Sequence, residues 1–277
     1  MSNSFCKLSP YRTQRSWLNL KLISINFEST YIASIKNKLL LSSNSLPTKN
    51  RKQISKYERE GFYKILFSRR DVRSHFIKKD IPLATILRII NAAHHAPSVG
   101  YSQPWNFILI KEEQTRLKIK NSFLREHQKA IRLLENNKVK QNKYKSLKLE
   151  GILESNVNLC VTYDYTRFAP FIIGKTSIPE TGIYSVCCAI QNLWLAARAE
   201  EIGMGWVSII SNRELKKILE IPKYIKPIAY LCLGYVSEFS KTPDLEKSKW
   251  LKRLALNEII YLEKWGNQVR KNKVKLL

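Results

Sequence analysis

The signatures that most readily give a chemistry away are missing from this chain. It has no Gly-x-Ser-x-Gly elbow, so a serine-hydrolase reading fails. It has no Walker loop, no Gly-x-Gly-x-x-Gly fingerprint and no His-Glu-x-x-His zinc motif. Its five cysteines, at 6, 160, 187, 188 and 232, show neither Cys-x-x-Cys nor zinc-type spacing. That odd number fits reduced thiols in a cytoplasmic compartment, and no metal site is expected. Four of the five lie in apolar segments and read as core residues; adjacent Cys187 and Cys188 suit packing better than redox chemistry. No apolar run reaches the length of a membrane span: the longest, 186–199, is interrupted by Gln191, Asn192 and Arg198.

Acidic residues are also few, 22 against 48 Lys and Arg in 277 residues, for a net charge of +26. Residues 1–60 hold eleven basic and three acidic side chains, and residues 111–150 hold twelve and five. The charge is spread over the chain, with no arginine–glycine repeats or interleaved aromatics. It reads as a solvated, lysine-rich surface that favours anionic ligands, without a dedicated nucleic-acid site. Residues 1–55 are basic, rich in Ser and Asn, and show no sustained periodicity. They read as a segment of transit-peptide composition, as a disordered extension, or as the product of a start assigned too far upstream. The expected division is therefore this extension, a domain over 56–265, and a basic tail over 266–277.

From residue 55 the pattern becomes regular. Helices are predicted over 58–67 and 82–94, the second with Leu83, Ile86, Leu87, Ile89 and Ile90 on one side. Strands are predicted over 105–110, 158–165, 206–210 and 227–236, and one or two helices over 113–148. The helix over 183–201 is apolar around nearly its whole circumference, so it is expected to be buried on several sides and to hint at a dimer interface. Gly203 to Gly205 reads as its end, and Asn212 as the cap of a small helix over 212–219. Helices and strands without a strict βαβ repeat predict an α+β sheet flanked by helices.

Three stretches carry chemistry. Arg69-Arg70-Asp71-Val72-Arg73 sets three guanidiniums around one carboxylate. Arginine's planar fork suits phosphate, although such a pentapeptide is more often plain surface. Asp71 should stay ionised unless its site is dry, where it could orient a proton or a water. Residues 92–105, Ala-Ala-His-His-Ala-Pro-Ser-Val-Gly-Tyr-Ser-Gln-Pro-Trp, form a small-residue loop between helix and strand. Such a loop allows close backbone approach to a flat polar ligand. Within it, a packing role for His94 outweighs an acid–base one. Gly203-Met204-Gly205-Trp206-Val207-Ser208 also permits close approach, and by itself Ser208 reads as an ordinary strand serine.

Taken in register, these motifs resemble the BluB type of 5,6-dimethylbenzimidazole synthase, within the nitroreductase-like flavoproteins. The match runs over about residues 60–265 through 69–73, 92–107, 178–181 and 184–208, above all Cys188 to Glu200 followed by Gly203 to Ser208. The resemblance implies a nitroreductase-like α+β fold: a central mixed, mainly antiparallel sheet, a long buried central helix and a homodimer with flavin sites at its interface. It implies that FMN, reduced by a separate NAD-dependent flavin reductase, is consumed with molecular oxygen. The products would be 5,6-dimethylbenzimidazole, the lower ligand of cobalamin, and erythrose 4-phosphate. Arg69, Arg70 and Arg73 would hold phosphate and ribityl chain, Pro97, Ser98 and Gln103 would line the flavin, Val72 would also contact it, and Asp71 and Ser208 would both bind it and be catalytic. No metal, membrane or nucleic acid enters this picture. His95, Tyr101, Ser102 and Gly182 depart from the common pattern. The alternative is an NAD(P)H nitroreductase that recycles its FMN, against which Asp71 speaks, since recyclers more often carry Ser there. A basic protein without catalysis is the remaining reading.

Overall fold

A computed structural model describes residues 53–268. The expectations for the extension and the tail therefore fall almost wholly outside the described residues. The elements are α1 (Lys56–Ser68), α2 (Leu83–His94), β1 (Trp105–Ile110), α3 (Glu113–Arg132), α4 (Lys138–Lys145), β2 (Val157–Asp164), α5 (Thr181–Ala199), β3 (Ile202–Val207), α6 (Asn212–Ile218), β4 (Ile225–Tyr235) and α7 (Asp244–Lys247). Short 3-10 turns cover Val99–Tyr101 and Leu256–Glu258.

The four strands form one sheet in the order β1-β2-β4-β3, every neighbouring pair antiparallel. The expected mixed character reduces to an isolated parallel bridge between Asp71 and Met204. Central β2 is buried on both faces over Val157 to Tyr163. Its odd-numbered residues Val157, Leu159, Val161 and Tyr163 face Ile86, Ile89 and Ala93 of α2 and Val186, Ile190 and Leu193 of α5. Cys160 faces the opposite way, toward Ile119 and Phe123 of α3 and Leu215 of α6. The period of two thus splits one strand between two cores, and helices cover both faces. A bulge between Val161 and Thr162 accommodates Pro227 of β4, which has no N–H to give the ladder.

Four expectations are corrected. Strand β3 begins at Ile202, so Gly203 and Gly205 lie inside it and do not end the preceding helix. The cap of α6 is Ser211, whose hydroxyl accepts from the Glu214 N–H at 3.4 Å, in place of Asn212. Helix α5 is not enclosed on all sides by its own chain: Tyr184, Cys187, Cys188 and Gln191, one stripe at helical spacing, are exposed. Two of the four presumed core thiols are accordingly at the surface. Cys160 and Cys232 are buried, and burial pushes both thiols up to about 12.

Among the described residues no helix is long and apolar enough to cross a membrane. Nor does any group of three His, Cys, Asp or Glu side chains among them stand close enough to hold a metal.

Candidate active site

The arginine cluster begins where α1 stops. Beyond Ser68 the chain leaves the helix and lies down on the free edge of β3, the Val72 N–H donating to the Met204 carbonyl at 2.9 Å. The two glycines of β3 make this possible. A Cβ on Gly205 would sit 2.0 Å from the Val72 carbonyl oxygen, and one on Gly203 would sit 3.1 Å from Val72 Cγ1. Close approach is what the glycines serve, but the approaching groups are the chain's own: the Val72 backbone at Gly205, and the Val236 and Val72 side chains at Gly203. Val72 itself is buried, so its side chain packs against Gly203.

This docking fixes Asp71. Its Oδ1 accepts the Trp206 N–H at 3.0 Å, and its Oδ2 pairs with the Arg73 guanidinium. Burial raises its proton affinity above that of an ordinary aspartate, opposed by Arg73, the Trp206 N–H and Arg69. A carboxylate held by two partners, yet inclined by burial to keep a proton, is suited to moving one. Ser208 stands exposed just past the end of β3, two residues beyond the Trp206 that anchors Asp71.

The three arginines divide their work. Arg70 is consumed by the protein: Nη1 donates to the carbonyls of Phe67 and Arg69, each at 2.8 Å, and Nη2 to that of Lys241. Arg73 is spent on Asp71. Arg69 stacks on Trp194, 4.8 Å from the ring centroid, and has no ion pair among the described residues. It opens onto a cleft of about 640 Å³ also lined by Arg70, Gln191, Lys241, Glu246 and Arg253. Burial lowers the proton affinity of Arg69, and neighbouring Arg70 and Arg253 push the same way against Asp71. Four cations around one carboxylate, Glu246, leave an excess of positive charge that an anion would relieve. Lys241 and Arg253 were invisible in the sequence, since in a lysine-rich chain two more cations carry no local signal. Only the path of the C-terminal arm brings them here.

The 97–103 loop is not at this place. It sits at the N-terminal end of α5, where the Val99 N–H donates to Ser185 Oγ at 3.0 Å. The arginine cluster touches the same helix at Trp194, whose indole donates to the Arg70 carbonyl at 3.1 Å. Nine residues separate the two contacts, about 13 Å along the helix axis. The loop is internally braced: Ser98 Oγ accepts from the Gln103 N–H at 3.0 Å, and Pro97 is exposed. His94 takes the structural role, its Nδ1 accepting from the Trp105 indole at 3.1 Å.

Sequence reading also passed over Arg167, which donates to the carbonyls of Gln103 at 2.7 Å and Trp105 at 2.9 Å and to the Asn106 side chain. Gln103 has a left-handed φ of 42°, so its carbonyl is held in a conformation that needs such support. Arg167→Met is expected to raise amide exchange over residues 98–106 by about tenfold or more, leaving β2 and β4 unchanged. Unchanged protection of the loop would show the clamp to be idle.

The profile of the Nitroreductase family matches residues 66–235. A 5,6-dimethylbenzimidazole synthase of Rhodospirillum rubrum is 39% identical over 195 residues, 70% of this chain and 91% of that protein. The chain belongs to the nitroreductase family. Solved members share its fold. A BluB-like flavoprotein of Clostridium difficile superposes with a TM-score of 0.55 at 23% identity, over 73% of this chain and 98% of that one. An iodotyrosine deiodinase bound to FMN and 3-iodo-L-tyrosine gives 0.57 at 20% identity, over the same 73% and 98%. The cleft beside Arg69, with its unbalanced positive charge, fits an anionic group such as a phosphate.

Proposed function

We propose that the chain is a 5,6-dimethylbenzimidazole synthase, fragmenting reduced FMN with molecular oxygen to 5,6-dimethylbenzimidazole and releasing erythrose 4-phosphate. The observation that carries the proposal is Asp71: a carboxylate set among arginines and fixed by the Trp206 N–H two residues before Ser208. Kinship to a synthase over most of both chains supports it. Reduced flavin brings its own reactivity toward oxygen, so what remains for the protein is to bind, orient, exclude water and govern protons.

Each residue then has a share of that work. Arg69, with Lys241 and Arg253, holds the phosphate end of the substrate. Arg70 ties α1 to the C-terminal arm, and Arg73 sets the charge and orientation of Asp71. Asp71 takes up and returns a proton close to the ring, with the Ser208 hydroxyl as its neighbour in that exchange. No metal is required for these steps.

The site is completed by a second copy. The exposed stripe on α5 and the 13 Å between the loop and the arginine cluster both support a homodimer in which Pro97, Ser98 and Gln103 of one copy line the flavin of the other. Sedimentation is expected to give the mass of two 32.3 kDa chains. A monomer that nonetheless turns over would remove the shared-site arrangement.

Purified protein supplied with FMN, NADH, a separate flavin reductase and air is expected to release 5,6-dimethylbenzimidazole while the flavin disappears. Flavin that cycles indefinitely without loss would overturn the proposal in favour of a recycling nitroreductase.

A further inference from the structure

Arg253 reaches the anion cleft from an irregular arm, residues 238–268, whose only regular segments are α7 and a 3-10 turn. An exposed arginine on such an arm needs something to hold it in place, and the structure supplies one fastening nearby. Three residues before Arg253, Trp250 leans on Tyr144 of α4, ring centroids 6.2 Å apart. Tyr144 stacks on His127 of α3 at 5.0 Å and 21°, and His127 stacks on buried Phe123 at 5.4 Å and 20°. Lys140 lies over the Trp250 ring at 5.8 Å, and the Lys143 ammonium donates to the Lys249 carbonyl. Four rings in file thus run from the core beneath α3 out to the arm. Burial lowers the proton affinity of His127, helped by Lys120 and opposed by Glu150. At the other end the arm is tied by Arg70 to the Lys241 carbonyl. Lys241 thus stands at the first fastening, and Arg253 follows three residues beyond the second.

We propose that Trp250, seated on the Phe123–His127–Tyr144 column, is a positioning residue that sets Arg253 for the phosphate of FMN. It touches no reacting atom and acts through Arg253. The inference rests on reading the cleft as the phosphate site. On it, the lysine-rich α3–α4 region acquires a defined role, supporting the residue that recognises the phosphate. Aromatic pairing of this kind is directional, so a smaller side chain at 250 frees the arm without opening the core.

The test compares FMN with riboflavin, which has the same ring but no phosphate, by quenching of flavin fluorescence. Trp250→Ala is expected to weaken FMN binding by about tenfold and riboflavin binding by less than about twofold, collapsing the preference for FMN. Arg253→Ala should give the same selective loss. Trp250→Phe should restore most of the preference, and Tyr144→Ala should repeat the loss more weakly. The double variant Trp250→Ala/Arg253→Ala should lose no more than either single one, since both remove the same contact. Equal weakening of FMN and riboflavin in both Trp250→Ala and Tyr144→Ala overturns the inference, as does an unchanged preference in both or additive loss in the double variant. A wild-type protein that binds flavin but without preferring FMN overturns the phosphate reading of the cleft and this inference with it. Product formation by the wild type tests the synthase assignment separately.

Discussion

Asp71→Asn is expected to reduce the yield of 5,6-dimethylbenzimidazole at least about a hundredfold, the scale of a lost acid–base group. FMN binding should change by less than about threefold. The geometry explains the contrast. Asparagine keeps the shape of aspartate and an oxygen for the Trp206 N–H, now 3.0 Å from Oδ1, so the bridge to β3 survives. It loses the charge paired with Arg73 and the ability to take up a proton. Product quantified by chromatography, beside flavin binding by fluorescence, separates the two effects. A variant retaining more than about a tenth of the yield would remove Asp71 from the chemistry. The ionisation should also be visible. Burial raises Asp71 above the ordinary value of 3.8, with Arg73 the largest opposing influence. If turnover requires the carboxylate, its acid limb lies above that value, and Arg73→Met should carry the limb to still higher pH.

Gly205→Ala is expected to damage the protein far more than one methyl group implies. The new Cβ would stand 2.0 Å from the Val72 carbonyl oxygen and 3.1 Å from its carbon, both backbone atoms that no rotamer change can move. Residues 71–73 would have to lift from β3. That gives up the bond from the Val72 N–H to the Met204 carbonyl and the one from Trp206 to Asp71. Overpacking and two hydrogen bonds together cost on the order of 3 kcal/mol. In a domain of this size that lowers Tm by roughly 6–12 °C. Product formation should fall with it, since Asp71 loses its seat. Gly61, inside α1 with nothing within 4 Å of a built Cβ, provides the control. There the same change is expected to stabilise by about 0.5–1 kcal/mol. A Gly205→Ala protein with wild-type melting would show that the segment is not bound to the strand as described.

Much of this architecture was legible in the sequence because it rests on local pattern. The run Trp105 to Ile110 reads as a strand and is one, since a short apolar run opened by Pro104 is a signal that needs no distant contact. Gly203 and Gly205 were misread because glycine ends helices more often than it sits in strands. What keeps them in β3 is pairing with β4 and the close approach of Val72, about 130 residues earlier, which no local window contains. The circumference of α5 was misjudged for a related reason. Hydrophobicity states that a face avoids water, not which chain covers it, so Tyr184, Cys187 and Cys188 look like core while lying exposed on a single copy. At the candidate site, Asp71 and the arginines stand out through their motif. Arg253, Lys241 and Arg167 do not, because each reaches its place through a loop path and has no neighbour in sequence that marks it.

Strand β3 is the last strand of its sheet, and a bare last strand is a template on which another chain can add its own. Here two of the outward backbone groups, the Met204 carbonyl and the Trp206 N–H, are already answered by Val72 and by the Asp71 carboxylate. The segment that carries Asp71 is therefore also a stopper against sheet growth. Losing it would show as self-association, and under the role proposed for Asp71 as inactivity too, so solubility and the proposed chemistry would rest on the same three residues.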